Sequence, residues 1–415
     1  MKNVLIICGS FPPQSIVGGL RPAMFAKYLP EYGWNPWVLT RDFTPEDPRY
    51  DENMPVELPE KIQDQIIRVK YSLNDEKNYL QSRNVFHIVR DFFYPEYSSP
   101  PGVYFTVKAE AEKLLISQRF DLILSTVPDL WQLTLGTYLS KKYKIPIIAD
   151  FRDIIEQEDG FERPIREKIQ AYRFLLRRWL NTRKVLGIIT VSQYHRDLLE
   201  KKTRRNTCLI YNGYDRNMFR NSMFEVDFDG PFRIVYIGRI LNLWYQNPEL
   251  LFNSIDQLID EKQIGMDDIA IEFYGTDREK LDGLIENLKY RDFIKFYNRI
   301  SYCDVPKQLH QAQILLLLTN NGRKGILTTK FFEYAGVGKP ILCIPGDQGE
   351  LDQLIKDYKI GYSVDSLANL KTLIMGWVSS YKSGRSPIMN GQNVDFFSRQ
   401  NQTKQLADFL NQMVM

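Results

Sequence analysis

The chain has 415 residues, 44% hydrophobic and 25% charged, an ordinary globular composition at a length beyond what one core usually supports, so two domains are expected. Its 54 basic and 51 acidic side chains leave a net charge of +3, too small to point to a nucleic-acid partner. Cys8, Cys208, Cys303 and Cys343 form no CxxC pair and no His cluster accompanies them, so reduced core thiols in a cytoplasmic protein are expected, not disulfides or a metal site.

Residues 4–8 predict a continuous apolar strand, too short an apolar run for a signal peptide. Nowhere do about 18 uncharged apolar residues follow one another as a membrane span requires. The loop through Gly9, Pro12, Pro13 and Gly18-Gly19 leads into a helix over 21–32, closed by Gly33 before a strand at 36–40. Residues 41–104 are rich in Pro, Tyr and charge and read as an insertion with a helix over 80–93. Helices at 105–118, 129–142, 163–183 and 193–201 then alternate with strands at 121–125, 146–150, 185–191 and 207–211. Continuous apolar strands separated by helices indicate a parallel sheet covered on both faces.

Asn212-Gly213-Tyr214-Asp215 is turn chemistry, and the polar stretch to Gly230 reads as a linker. A second series follows, with strands at 232–237, 269–274, 294–296, 314–318, 341–344 and 362–364. Helices are expected at 247–261, 277–287, 306–311, from Thr329 and from Glu350, and a last helix over 396–413 has Leu406, Phe409 and Leu410 on one face. The expected fold is α/β: two doubly wound Rossmann-like domains, 1–215 and 231–395, facing a cleft, joined by a 216–230 linker and followed by the helix 396–415. In such sheets ligands sit at the carboxyl ends of strands, where the strand order reverses.

Several motifs are excluded. No GxGxxG follows the first strand, which argues against a dinucleotide-dependent dehydrogenase. Gly338-Lys339-Pro340 imitates a P-loop tail, but Pro replaces the Ser/Thr and Glu333 occupies the place of the first Gly. No G-x-S-x-G elbow occurs, and His87, His195 and His310 lack metal spacing and read as structural.

The most informative stretch runs from Gly325 to Pro340. Thr329 can cap its helix, leaving backbone N–H groups and the positive dipole end as an anion site, with the amides around Thr328 and Thr329 available. Lys330 adds a full charge, and Glu333 shares its helix face. Cation and amides suit the phosphates of a nucleotide diphosphate, and the carboxylate suits ribose hydroxyls; the alternative is a buried helix with an ordinary ion pair. Gly238-Arg239 ends a strand at the expected ligand edge, where Arg239 could bind phosphate in bidentate fashion. Tyr274-Gly275 and Arg299-Ile300-Ser301 follow strands at the same edge and could hold a base by stacking and backbone bonds, or be plain turns. In the first half, Gly18-Gly19 would let amides approach a phosphate or sugar, with Arg21 adding a charge-assisted bond. Asp150-Phe151-Arg152-Asp153 follows a strand; Asp153 could orient an acceptor hydroxyl and Arg152 stabilise developing charge, or the group could cap the next helix. Between Arg163 and Lys184 stand eight basic residues and one acid, Glu167, interleaved with apolar side chains. Such a helix can lie on anionic lipid, or pack its apolar side on the sheet.

These landmarks (Gly18-Gly19, Val191-Ser192, Asn212-Gly213-Tyr214-Asp215, Gly238-Arg239, and the Glu333 helix with Gly338-Lys339-Pro340) resemble those of the GT-B-fold glycosyltransferases, in particular the large retaining family 4. The resemblance covers nearly the whole chain. It implies transfer of a sugar from a nucleotide-diphosphate donor to a hydroxyl acceptor, without metal or other cofactor. The C-terminal domain would hold the donor, the N-terminal domain would face the acceptor, and the final helix would cross back to the first domain. Glu333 would then bind the ribose, Arg239 the diphosphate, and the amides at Thr328 and Thr329 the phosphates and sugar. Two features depart from the pattern. Gly325 stands where the first of a glutamate pair is usual, and Ile240 to Trp244 contains no lysine where one often follows Gly-Arg, a charge Lys330 can supply. Arg152 stands where the family often has a histidine. Bacterial surface-polysaccharide members look similar, which implies a glycan or lipid-linked glycan acceptor, possible contact with the inner-membrane surface, and no nucleic acid. An epimerase of the same architecture, or a non-catalytic nucleotide-sugar binder partnered with an active transferase, are the alternatives.

Overall fold

The computed structural model describes residues 1–14, 17–42, 50, 57–71, 73–97, 100–127, 129–158, 164–220, 230–319, 323–389 and 391–414. They form two compact units, residues 1–212 with 399–415, and residues 213–398.

The first unit is built on a seven-stranded sheet of β1 (Lys2–Ile7), β2 (Trp34–Arg41), β3 (Ile66–Val69), β4 (Leu122–Val127), β5 (Ile147–Phe151), β6 (Gly187–Thr190) and β7 (Thr207–Leu209), in the order β3-β2-β1-β4-β5-β6-β7. Every pairing is parallel. The strands read as unbroken apolar runs because both faces are covered: Leu5 and Ile7 enter one core layer, Val4 and Ile6 the other. The 41–104 stretch is more regular than expected. Ile66-Ile67-Arg68-Val69 extends the sheet at its edge, from Val38↔Ile66 to Arg41↔Val69. The single helix expected over 80–93 is two, Leu73–Gln81 and Val85–Phe93, because Asn84 caps the second: its side chain accepts from the His87 amide at 3.0 Å.

The second unit carries β8 (Phe232–Ile237), β9 (Ile269–Tyr274), β10 (Ile294–Tyr297), β11 (Ile314–Leu318), β12 (Ile341–Ile344) and β13 (Gly361–Ser363), in the order β10-β9-β8-β11-β12-β13, again all parallel. Two expectations fail here. The helix over 277–287 is only a short turn, Arg278–Lys280, and one turn of helix, Asp282–Ile285. A sixteen-residue helix, Leu367–Lys382, was not expected, although Leu370, Ile374, Trp377, Val378 and Tyr381 repeat at helical spacing and fill the core beside the helix Glu249–Asp260.

The division also differs from the expected boundaries. Asp215 caps a short helix, Arg216–Phe219, by accepting from the Asn217 amide at 3.0 Å, so the linker does not begin at 216. Phe219 is buried, its carbonyl 2.9 Å from His310 Nε2. Tyr214 bridges to Ser398, and residues 394–397 form a turn of this unit. The rest of the expected linker, 221–229, lies outside the described residues. The last helix, Arg399–Met413, belongs to the first unit, where Leu406, Ala407, Phe409 and Leu410 join Ala23, Phe25 and Leu29 in one core layer. Among the cysteines Cys8 and Cys343 are buried, but Cys303 is exposed rather than a core thiol.

Candidate active site

In the second sheet the strand order reverses between β8 and β11. Both sides of that point carry residues singled out from the sequence. β8 ends at Ile237 and runs into Gly238-Arg239; β11 leads, through the loop holding Gly325, into the helix Thr329–Val337.

The cap of this helix is Thr328, one residue before the expected Thr329. Its backbone is extended, and its side chain makes no capping hydrogen bond. The Phe331 amide bonds the Thr328 carbonyl at 3.2 Å, and the amides of Thr329 and Lys330 before it lie at the positive end of the dipole with no capping side chain upon them. Gly238 adopts φ +123°, and a Cβ there would lie 2.8 Å from Lys330 Cε and 3.0 Å from Nζ. Only glycine admits both that backbone and the lysine. The Lys330 ammonium stands 5.2 Å from the centre of the Tyr236 ring. Burial pushes the Lys330 pKa below the usual lysine range; the Glu333 carboxylate opposes the shift and the Arg239 guanidinium adds to it. An anion brought to this point would reverse it.

Glu333 is buried one turn along the helix, and the Tyr302 hydroxyl donates to its Oε1 at 2.8 Å. Arg239 is exposed, and its backbone is fixed: the Tyr236 hydroxyl donates to its carbonyl at 3.2 Å, and Thr276 Oγ1 donates to the Gly238 carbonyl at 2.6 Å. Gly275 (φ +73°) packs against Arg299, its amide bonded to the Tyr297 carbonyl at 3.0 Å; Arg299 is exposed and Ile300 half-buried at that edge. Tyr274, expected as a stacking surface for a base, is committed to its own sheet. Its ring stacks on Tyr297 at 4.7 Å, and its hydroxyl donates to Glu272 at 2.9 Å, a carboxylate also paired with Arg233.

The first sheet reverses between β1 and β4. The Gly18-Gly19 turn lies in the β1 loop, and Arg152 Nη1 donates to the Gly18 carbonyl. A side chain at Gly18 would collide with that guanidinium, and one at Gly19 would press the Phe11 backbone at 3.1 Å, so both glycines serve close approach. Arg21 does not face a ligand. It is 1% exposed; Nε bonds both oxygens of Asp150 at 3.1 Å, and Nη1 donates to the Ile210 and Tyr211 carbonyls at 2.9 Å. Asp150 is therefore half of a buried ion pair, which leaves Arg152, half-buried, and Asp153, exposed, at the end of β5. His195 is buried, and neither ring nitrogen has a hydrogen-bond partner among the described residues. Burial pushes its pKa down to about 4, against the fields of Asp153 and Glu156.

The second unit thus brings Lys330, Glu333, Thr328, Thr329 and Arg239 together around one strand end. Sequence reasoning missed the three tyrosines that hold them. Tyr236, Tyr302 and Tyr334, whose hydroxyl accepts from the Ile237 amide at 3.4 Å, look like core aromatics in a chain with 24 tyrosines. It also missed Asp129, half-buried after β4, where burial raises its carboxyl pKa against the Gln132 hydrogen bond and the fields of Arg41 and Arg152. Carboxylates after strands are common, and nothing in the pattern distinguishes this one.

Residues 23–217 match Glycosyltransferase Family 4, and residues 219–411 match Glycosyl transferases group 1. The chain belongs to the GT-B-fold glycosyltransferases. A search of curated proteins finds no match. Among solved structures, the fold is similar to sucrose-phosphate synthase from Thermosynechococcus elongatus (14% identity, TM-score 0.68, covering 100% of this chain and 99% of that one). It is also similar to Alr3699/HepE of Anabaena, solved in complex with UDP-glucose (13%, TM-score 0.60, 99% and 100%). The UDP-GlcNAc 2-epimerase of Methanocaldococcus jannaschii shares the fold as well (14%, TM-score 0.53, 99% and 100%). Within this glycosyltransferase the glycine at 325 has a local reason: its φ of +73° is a conformation that a glutamate would adopt only with strain.

Proposed function

We propose that this glycosyltransferase moves a sugar from a nucleotide-diphosphate donor to a hydroxyl of a surface glycan, without a metal ion. The observation that carries the reading is the Lys330 ammonium seated against Gly238 at the strand reversal, with the Glu333–Tyr302 pair one turn away. Lys330, Arg239 and the first-turn amides converge where a leaving diphosphate would gather negative charge, and fixed cations and dipoles lower the barrier because they need no reorganisation as the glycosidic bond breaks. Glu333, oriented by Tyr302, accepts from the ribose hydroxyls. Gly275, Arg299 and Ile300 flank the base. In the first unit Arg152, braced by the Gly18 carbonyl, and Asp153 serve the acceptor hydroxyl. A donor of the UDP-sugar class agrees with the UDP-glucose complex of the Anabaena protein. The basic helix Ile165–Thr182 supports peripheral contact with an anionic membrane surface, on whose cytoplasmic side a lipid-linked acceptor would be met.

The test is a thermal-shift and turnover screen against a panel of nucleotide sugars. One nucleotide diphosphate should stabilise the protein. Glu333→Ala should weaken donor binding about tenfold or more, as loss of a hydrogen-bonded charge does. Lys330→Ala should lower turnover by about 10²–10³, the range for removing one preorganised charge-stabilising group. Unchanged donor affinity and turnover in both variants would remove the assignment. Because an epimerase shares the architecture, the product is analysed too: an epimerised free nucleotide sugar, formed without acceptor, would replace transfer by epimerisation.

A further inference from the structure

Two neighbouring helices of the first unit are built inside out. In Val85–Phe93 the apolar side chains Val85, Phe86, Ile88, Val89, Phe92 and Phe93 fall on one face at helical spacing, and that face is the exposed one; Val85 is 77% and Phe86 72% exposed. The polar side points inward instead. Asp91 is 2% exposed, bonded by the Tyr79 hydroxyl at 3.0 Å and paired with Arg90 at 2.8 Å and Arg83 at 3.2 Å. The helix Ile165–Thr182 repeats the arrangement. Ile165, Ile169, Tyr172, Leu176 and Trp179 form a continuous stripe along it, and all five are exposed. Its fully buried residues, Arg178, Asn181 and Thr182, are polar, while Phe174, Leu175 and Leu180 are half-buried: Arg178 binds Glu156, and Asn181 Nδ2 donates to Thr134 Oγ1 at 2.9 Å. The outcome contradicts the packing of the apolar side on the sheet, one of the two arrangements open from the sequence. Its buried polar groups meet the helix Leu130–Tyr143 through Thr134 and the turn Ile155–Glu158 through Glu156, which leaves the apolar stripe on the outside.

Arginines join the two helices. Arg173 donates to the Asp91 carbonyl at 2.6 Å and lies over the Phe92 ring at 4.4 Å; Arg177 pairs with Glu96 and lies over the Tyr94 ring at 4.4 Å. The acids of residues 82–97, Asp91 and Glu96, are thus both buried against arginine. On the second helix and its end Lys168, Arg183 and Lys184 are exposed, against one exposed acid, Glu167. An apolar, aromatic-rich face bordered by uncompensated cations is chemically matched to one surface, the headgroup–acyl boundary of an anionic bilayer, where the rings are buried and the cations meet phosphates. A two-fold contact with a second copy would set the same cations against each other.

We infer that the exposed faces of Val85–Phe93 and Ile165–Thr182 together dock the first unit onto an anionic lipid surface. The inference builds on the membrane contact of the proposed function and gives it a location. No described helix is long and apolar enough to cross a membrane, so the contact is interfacial.

The test is co-sedimentation of the full chain with vesicles of phosphatidylcholine alone and with added phosphatidylglycerol. Binding should require the anionic lipid and weaken with salt. Phe86→Ser combined with Val89→Ser should reduce binding about tenfold or more, and Lys168→Glu with Lys184→Glu should abolish the preference for anionic vesicles. All four side chains are exposed, so thermal midpoints and nucleotide-induced shifts should match the parent protein; the lipid and donor assignments therefore fail separately. Absence of vesicle binding, or binding indifferent to both double substitutions, overturns the inference. A concentration-dependent dimer dissolved by Phe86→Ser/Val89→Ser without vesicle binding also overturns it and assigns the face to a second copy.

Discussion

The two sheet reversals use similar residues to opposite ends. Each has a glycine turn after a strand and arginine or lysine nearby. In the first unit Arg21 is extinguished by Asp150 inside the core, and Arg152 spends a donor on the Gly18 carbonyl. In the second, Lys330 rests on the uncharged Tyr236 ring beside Gly238, and Arg239 is exposed. The strand end proposed as the anion site is the one whose cations are in no salt bridge among the described residues, with the Glu333 carboxylate one turn away. Position at the edge is shared; charge balance is not.

The largest expected effect tests that difference directly. Arg21→Met leaves the Asp150 carboxylate buried and unpaired, which should destabilise the first unit by about 3–5 kcal/mol, whereas Arg239→Met should leave the unfolding free energy within about 0.5 kcal/mol of the parent's. Denaturant melts of the two variants check it; equal losses would erase the distinction.

Next comes the buried base of the first unit. Burial holds the folded pKa of His195 at about 4, below the ordinary imidazole value of 6.5. Between those values the unfolded chain binds the proton and the folded one does not. The neutral imidazole's contribution is therefore complete above pH 6.5 and is lost as pH falls toward 4, with an upper bound of roughly 3 kcal/mol over the window. Thermal midpoints of the parent and His195→Leu between pH 7 and pH 5 should diverge in slope, the variant being the flatter. Parallel profiles would mean that His195 is solvated.

The smallest effect concerns Tyr302. Tyr302→Phe removes one hydrogen bond to Glu333 and should weaken donor binding by about three- to tenfold, with turnover at saturation nearly unchanged. Titration calorimetry with the stabilising nucleotide reads it, and full affinity in the variant would show that Glu333 orients itself.

Much of this protein was written in local pattern. Runs such as Val4 to Ile7 and Ile314 to Leu318 are buried on both sides, and that alone calls for parallel sheets under two helical layers. Gly238-Arg239 and Lys330 with Glu333 were visible because glycine, charge and strand end coincide in the sequence. What the chain could not reveal is which charges cancel. Arg21 and Asp150 are 129 residues apart, and only the fold shows that they meet. Tyr302 reaches Glu333 across 31 residues, so its role was hidden among ordinary aromatics. The outward stripes of Val85–Phe93 and Ile165–Thr182 were equally undecided, since amphipathic spacing states that a helix has an apolar face but not which way it turns. That direction was settled by Asp91, Arg178 and Asn181, whose buried partners lie elsewhere in the chain and hold the polar sides inward.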